Sequence, residues 1–202
     1  MIYVISDTHY GHRNMVNLCG RPENFEELIF QNWCDVVKKE DTLIHLGDVS
    51  FRANENEIHE KYIKTAPGRK ILVRGNHDKK CNEWYMDHGW DFSCDKFEMD
   101  YQQYHLIFQH KPQYGVEKDE MLNLYWEPTT NIKYICGHLH DKVKFLPNVS
   151  QFQYIISLEK QGYKVQSLTN ILKSFKLSAK IVRDEQSKIL HKCLLPGQYD
   201  LL

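Results

Sequence analysis

The chain has 202 residues, 42% of them hydrophobic and 26% charged, enough to bury one core without disulfides. A formal net charge of −1 offers no bulk attraction to nucleic acid or anionic lipid, and no apolar run reaches the length of a membrane span. The six cysteines form no C-x-x-C pair and no leader pattern precedes the first apolar run, so a cytoplasmic protein with reduced, mostly buried thiols is expected.

In chain order, short runs rich in Ile, Val, Tyr and Phe predict buried strands at 2–5, 42–46, 70–73, 105–108 and 133–136. Between the first two, Ile29, Trp33, Val36 and Val37 recur at a helical period, and a second helix is expected over 54–64. Strands alternating with helices imply right-handed crossovers and a sheet at least partly parallel. The second half is less regular: 101–108 reads as a strand of a meander and 148–156 as another. Leu168, Ile171, Leu172 and Phe175 mark one face of a helix over 167–175, and 179–190 suits a hairpin. The expected architecture is α/β, two facing mixed β-sheets flanked by helices. Residues 1–202 read as a single domain, with 177–202 a C-terminal extension of unassigned role.

Each strand is followed at once by groups able to bind a metal: Asp7 and His9, Asp48, Asn76, His110, and then His138 and His140. Ligands of α/β sheets bind at the carboxyl ends of strands, so these groups are expected to converge. Carboxylate, amide and imidazole donors without thiolate suit Mn, Fe, Zn, Co or Ni. Seven donors exceed the need of one ion; two ions about 3.5–4 Å apart would use them, with Asp48 as the natural bridge. Two divalent cations against two carboxylates leave positive charge for an anionic substrate such as a phosphate ester, and Asn76 adds a ligand without cancelling any.

The ordered set D-x-H at 7–9, G-D at 47–48, G-N-H-D at 75–78, the lone His110 and G-H-x-H at 137–140 resembles the calcineurin-like metallophosphoesterase superfamily. The opening Ser6-Asp7-Thr8-His9-Tyr10-Gly11-His12, followed by Arg21-Pro22, resembles its small single-domain bacterial and phage branch, as does Tyr163-Lys164-Val165 before Ser167-Leu168. That resemblance implies a four-layer α/β/β/α sandwich and two divalent metals, Mn2+ foremost. It assigns Asp7, His9, Asp48 and His140 to one ion, and Asp48, Asn76, His110 and His138 to the other. It also implies that His77 sits beside the phosphoryl group to protonate the leaving oxygen, with Asp78 orienting its imidazole.

The expected reaction is attack of metal-activated hydroxide on a small or nucleotide-type phosphodiester. Phosphomonoester hydrolysis, a nuclease acting on DNA or RNA, and a non-catalytic metal-binding scaffold stay open; the net charge disfavours the nuclease and the complete motif set disfavours the scaffold. His12, Arg21 and Arg74 are the substrate-binding candidates, the arginines as bidentate phosphate clamps. Trp84, Tyr85, Trp90 and Phe92 suit either nucleobase stacking or core packing, and 113–128 reads as a loop or a lid. The sequence carries no signal of oligomeric state.

Overall fold

The computed structural model describes residues 1–51, 54–112, 131–140 and 152–176. The expected lid at 113–128, the start of the strand expected at 148–156, the hairpin at 179–190 and the extension at 177–202 lie outside the described residues.

The strands are β1 (Ile2–Ile5), β2 (Thr42–His45), β3 (Arg69–Val73), β4 (Phe92–Cys94), β5 (Phe97–Tyr101), β6 (Tyr104–Gln109), β7 (Ile132–Cys136), β8 (Gln153–Ile155) and β9 (Gln166–Ser167). They form a five-stranded sheet in the order β4-β3-β2-β1-β9 and a four-stranded sheet in the order β5-β6-β7-β8. In the first, β1 to β4 run parallel and β9 closes the edge antiparallel to β1. The second pairs β5 antiparallel to β6, while β7 and β8 continue parallel. Both sheets are therefore mixed, and the fold is α/β as the alternation of elements predicts.

Period two along the strands decides which sheet face each side chain covers. Val4, Ile44, Leu46 and Val73 of the first sheet share one core cluster with Leu106, Phe108 and Ile135 of the second, so the sheets pack face to face. Residues 168–176 are helical (α5, after the four helices named next), and Leu168, Ile171, Leu172 and Phe175 pack into that cluster. On the opposite face, Tyr3, Ile5, Leu43 and Leu72 meet Phe25, Ile29 and Trp33 of α2 (Phe25–Val36). Glu26 and Glu27 in the first turn complement the positive end of α2, and buried Trp33 also donates Nε1–H to Pro67 O at 3.1 Å. Truncating Trp33 is expected to cost about 3–5 kcal/mol. The short helices α1 (Met15–Cys19), α3 (Glu55–Ile58) and α4 (Asn82–Asp87) border this layer, and α3 runs on into a π-helical turn, His59–Ile63.

Three expectations change. The run 101–108 is not one strand: the chain turns at Gln102, with φ of 55°, and splits it into the β5–β6 hairpin. Val36 faces solvent while Val37, just past the helix end, is buried. Of the five described cysteines only Cys136 is buried, and Cys81, at the start of α4, is exposed. No helix among the described residues is long and apolar enough to cross a membrane.

Candidate metal centre

Parallel pairing sets Ile5 beside His45 and His45 beside Leu72, so β1, β2 and β3 end level and release their loops at one edge. In the second sheet Gln109 lies beside Cys136, which brings His110 and His138 to one level. Asp7, His9, Asp48, His138 and His140 are five of the eight non-glycine residues with positive φ among the described residues. Such backbone costs roughly 1–2 kcal/mol per residue, and persists where the surroundings over-determine it. Here they do. Asp7 N–H donates to Gly47 O at 2.9 Å, His9 N–H to Asp48 O at 3.0 Å, and His138 N–H to Asp7 Oδ2 at 2.9 Å.

Two glycines explain why these motifs begin as they do. A Cβ at Gly75 would collide with the Asp48 carboxylate and backbone nitrogen, and one at Gly137 would collide with Ser6 Oγ and Asp7 Oδ2. Only a residue without a side chain lets the loops approach this closely.

The donors fall into two clusters. In the first, Asp7 Oδ1 lies 3.9 Å from His9 Nε2 and 3.7 Å from His140 Nε2. The second centres on His110 Nε2, which is 3.4 Å from Asp48 Oδ2, 3.1 Å from Asn76 Oδ1 and 3.1 Å from His138 Nδ1. Asp48 Oδ2 also stands 3.7 Å from His9 Nε2, so a single carboxylate oxygen faces both groups. All seven donors expected from the sequence are thus gathered at one place.

Orientation supports a cation. His110 Nδ1 is 2.7 Å from Leu46 O, a carbonyl that only accepts, so Nδ1 carries a hydrogen and Nε2 is the nitrogen turned inward, where a cation would replace its proton. Burial opposes charge on His110, yet the hydrogen bond and charge of Asp48, with Asp7, push it up to about 9. Burial likewise opposes charge on Asp48, but His110, the His77 N–H and His9 hold its carboxyl well below the usual range. Burial takes His9 down to about 2, helped by the positive groups of His140 and Arg21 against the pull of Asp48. Asp7 Oδ1 and both His9 ring nitrogens are buried without a hydrogen-bond partner. Buried polar atoms are normally satisfied. Three orphaned donor atoms beside three more histidines and a second carboxylate fit divalent cations, and the groups Asp7, His9, His140 and Asp48, His110, His138 each lie close enough to hold one.

A cavity of about 200 Å³ opens over the clusters, its described lining including His12, Met15, Leu18, Asn76, His77 and His138. His77 is partly exposed there, with Nε2 3.8 Å from Asp48 Oδ2 and its N–H donating to Asp48 Oδ1 at 2.8 Å. His12 stacks on Phe51, ring centroids 3.9 Å apart.

Three expected roles are redirected by geometry. Asp78 does not orient the His77 imidazole: it is buried and accepts N–H bonds from Asp48 at 2.7 Å, Gly75 at 2.7 Å and Val49 at 3.1 Å, tying the G-D and G-N-H-D loops together. Burial pushes its carboxyl up to about 6 against those three donors. Arg21 is buried rather than poised over substrate, its guanidinium taken up by Glu159 and the carbonyls of Thr8 and Asp7. Arg74 turns away to Lys80 O and Asp95. Tyr85 and Trp90 are core residues, Trp84 stacks on His88, and none of the four aromatic candidates is among the described lining of the cavity.

Glu159 was not foreseen. It follows β8 without any motif, and its Oε1 sits 3.1 Å from His140 Nδ1. Burial opposes its charge, but His140 and Arg21 lower its pKa to about 2. The available signal was indirect: a strand at 153–155 followed shortly by an acid, as at the other strand ends.

Residues 1–150 match the calcineurin-like phosphoesterase superfamily domain. An uncharacterised protein of Methanocaldococcus jannaschii is 30% identical over 191 residues, covering 90% of this chain and 94% of that one. The gene 66 protein of Mycobacterium phage L5 is 39% identical over 77 residues, 36% of this chain and 37% of that one. Among solved structures, a protein of unknown function from Aquifex aeolicus matches with a TM-score of 0.68 at 30% identity, covering 86% of this chain and 98% of that one.

Proposed function

The chain belongs to the calcineurin-like phosphoesterase superfamily, and on that premise we propose that it is a dimetal phosphodiesterase acting on small or nucleotide-type diesters. The observation that carries this reading is the position of Asp48, whose Oδ2 faces His110 at 3.4 Å and His9 at 3.7 Å and so stands between the two donor clusters. Asp7, His9 and His140 would hold one ion, Asn76, His110 and His138 the other, and Asp48 both. Mn2+ is the ion we favour for a set of carboxylate, amide and imidazole donors. Bound divalent ions supply Lewis-acid polarisation of the phosphoryl group and ionisation of water near neutral pH.

The remaining work falls to the chain itself. His77, open to the cavity and 3.8 Å from Asp48 Oδ2, would give a proton to the leaving oxygen. Asp78 keeps His77 in position through the backbone of its loop. Asn76 contributes an uncharged oxygen, which preserves positive charge for an anion.

The preference for a diester rests on charge. The described lining of the cavity contains histidines, Asp48, Asn76 and apolar side chains but no Lys or Arg, and both arginines expected to clamp phosphate are engaged elsewhere. A singly charged diester suits such a wall better than a dianionic monoester. With Mn2+ present, kcat/KM for bis(4-nitrophenyl) phosphate is expected to exceed that for 4-nitrophenyl phosphate by about tenfold or more, on the order of 1.4 kcal/mol. The reverse order would overturn the diester assignment, and turnover of neither ester by protein carrying two ions would overturn the hydrolase.

A further inference from the structure

Arg21 and Glu159 lie 138 positions apart in sequence and meet in a buried ion pair, side chains 0% and 5% exposed. Arg21 donates Nε–H at 2.9 Å to Glu159 Oε1, and its Nη2 lies 2.7 Å from the same oxygen. Nη1–H goes to Thr8 O at 2.9 Å, and an Nη2–H to Asp7 O at 2.8 Å. Glu159 Oε2 accepts from Ser157 Oγ at 3.2 Å. Both oxygens are thereby fixed, and Oε1 is presented to His140 Nδ1 at 3.1 Å.

A carboxylate facing a guanidinium is acceptor only, so His140 Nδ1 must carry the hydrogen. The opposite tautomer would need a donor to Nδ1. Arg21 Nη2 is 3.5 Å from Nδ1, longer than a charge-assisted hydrogen bond and farther than Glu159 Oε1 at 3.1 Å, and it already donates to Asp7 O at 2.8 Å. His140 Nε2 is then left bare toward Asp7 Oδ1, 3.7 Å away.

We propose that Glu159, anchored by Arg21, is a positioning residue that fixes the tautomer and ring orientation of His140 and so sets the ion affinity of the cluster formed by Asp7, His9 and His140. Arg21 couples the two sides, gripping the backbone of Asp7 directly and the ring of His140 through Glu159. It also keeps the extra carboxylate neutralised, so the positive charge offered to a phosphate is not reduced. The proposal rests on the dimetal reading above.

The test uses full-length protein freed of metal, titrated with Mn2+ by calorimetry and native mass spectrometry, together with 15N imidazole spectra of the metal-free state. In the wild type His140 should report the Nδ1–H tautomer. Glu159→Ala should weaken one of the two Mn2+ sites by about 10–100-fold and leave the other unchanged. Glu159→Gln, whose amide oxygen still accepts from both partners, should fall between, and it decides the matter where the alanine variant does not fold. Wild-type affinity at both sites in a folded Glu159→Gln and Glu159→Ala, with one ion lost in His140→Ala, would overturn the role of Glu159 while leaving the dimetal reading in place. Two ions retained by His140→Ala would overturn both.

Discussion

The two donor clusters that meet at Asp48 are held in different ways. Asp7, His9 and His140 keep their facing atoms 3.7–3.9 Å apart and are braced from behind, His140 by Glu159 and the Asp7 backbone by Arg21. Asn76, His110 and His138 instead touch one another, with His110 Nε2 at 3.1 Å from both neighbours. The first cluster is held by bracing contacts alone, while the second, beyond the hold of Leu46 O on His110 and of Asp7 Oδ2 on the His138 N–H, also has contacts among its own side chains. Removing a side chain from the second should therefore disturb its neighbours, whereas the first should tolerate a loss more locally.

The largest expected effect comes from the residue that belongs to both. Asp48→Ala should lower kcat/KM for the chromogenic diester by about 10³-fold, on the order of 4 kcal/mol of transition-state stabilisation. An effect confined to one cluster, with turnover within tenfold of wild type, would break the picture of a shared carboxylate. A smaller effect is expected at His59, a buried histidine outside both clusters whose Nδ1–H donates to Glu55 O at 2.8 Å. Burial, with His88 nearby, lowers its pKa to about 4, below the 6.5 of an unfolded chain. The unfolded state therefore takes up the proton first, and the stability this histidine contributes is complete above pH 6.5 and lost as pH falls through about 4. Between pH 7 and 4.5 the contribution should be about 2 kcal/mol, and denaturant titrations of His59→Leu should show a pH dependence flatter by that amount. The smallest effect bears most closely on the comparison. In double-mutant cycles on metal-free stability, His110→Ala and His138→Ala should couple by about 1 kcal/mol, while His9→Ala and His140→Ala add within about 0.5 kcal/mol. Equal coupling in the two pairs would remove the distinction.

The same contrast explains what could be read in advance. The seven donors were legible because coordination demands particular residue types, and each follows a strand whose apolar run is itself visible. The glycines of G-D, G-N-H-D and G-H-x-H were legible with them, since close approach of loops admits nothing larger at Gly75 and Gly137. Strands β1, β2, β3, β6 and β7 were foreseen from their apolar runs. Strands β4 and β9, of three and two residues, are too short to show a period, and the Gln102 turn inside an apolar stretch hid the β5–β6 hairpin.

Partners were the part that sequence does not encode locally. Arg21 and Arg74 announce a positive charge but not what neutralises it, and here Glu159 and Asp95 do so. Asp78 follows His77 in the chain, which suggests a pair, yet its oxygens reach the backbone of Asp48, Val49 and Gly75. Bracing contacts of this kind depend on the tertiary approach of distant loops, and no spacing rule records them.

The most direct test of the central claim is anomalous diffraction from crystals of the full-length protein grown with Mn2+. Two manganese peaks about 3.5–4 Å apart, both bound by Asp48, are the expected result. A single peak, or two that do not share Asp48, would contradict the account.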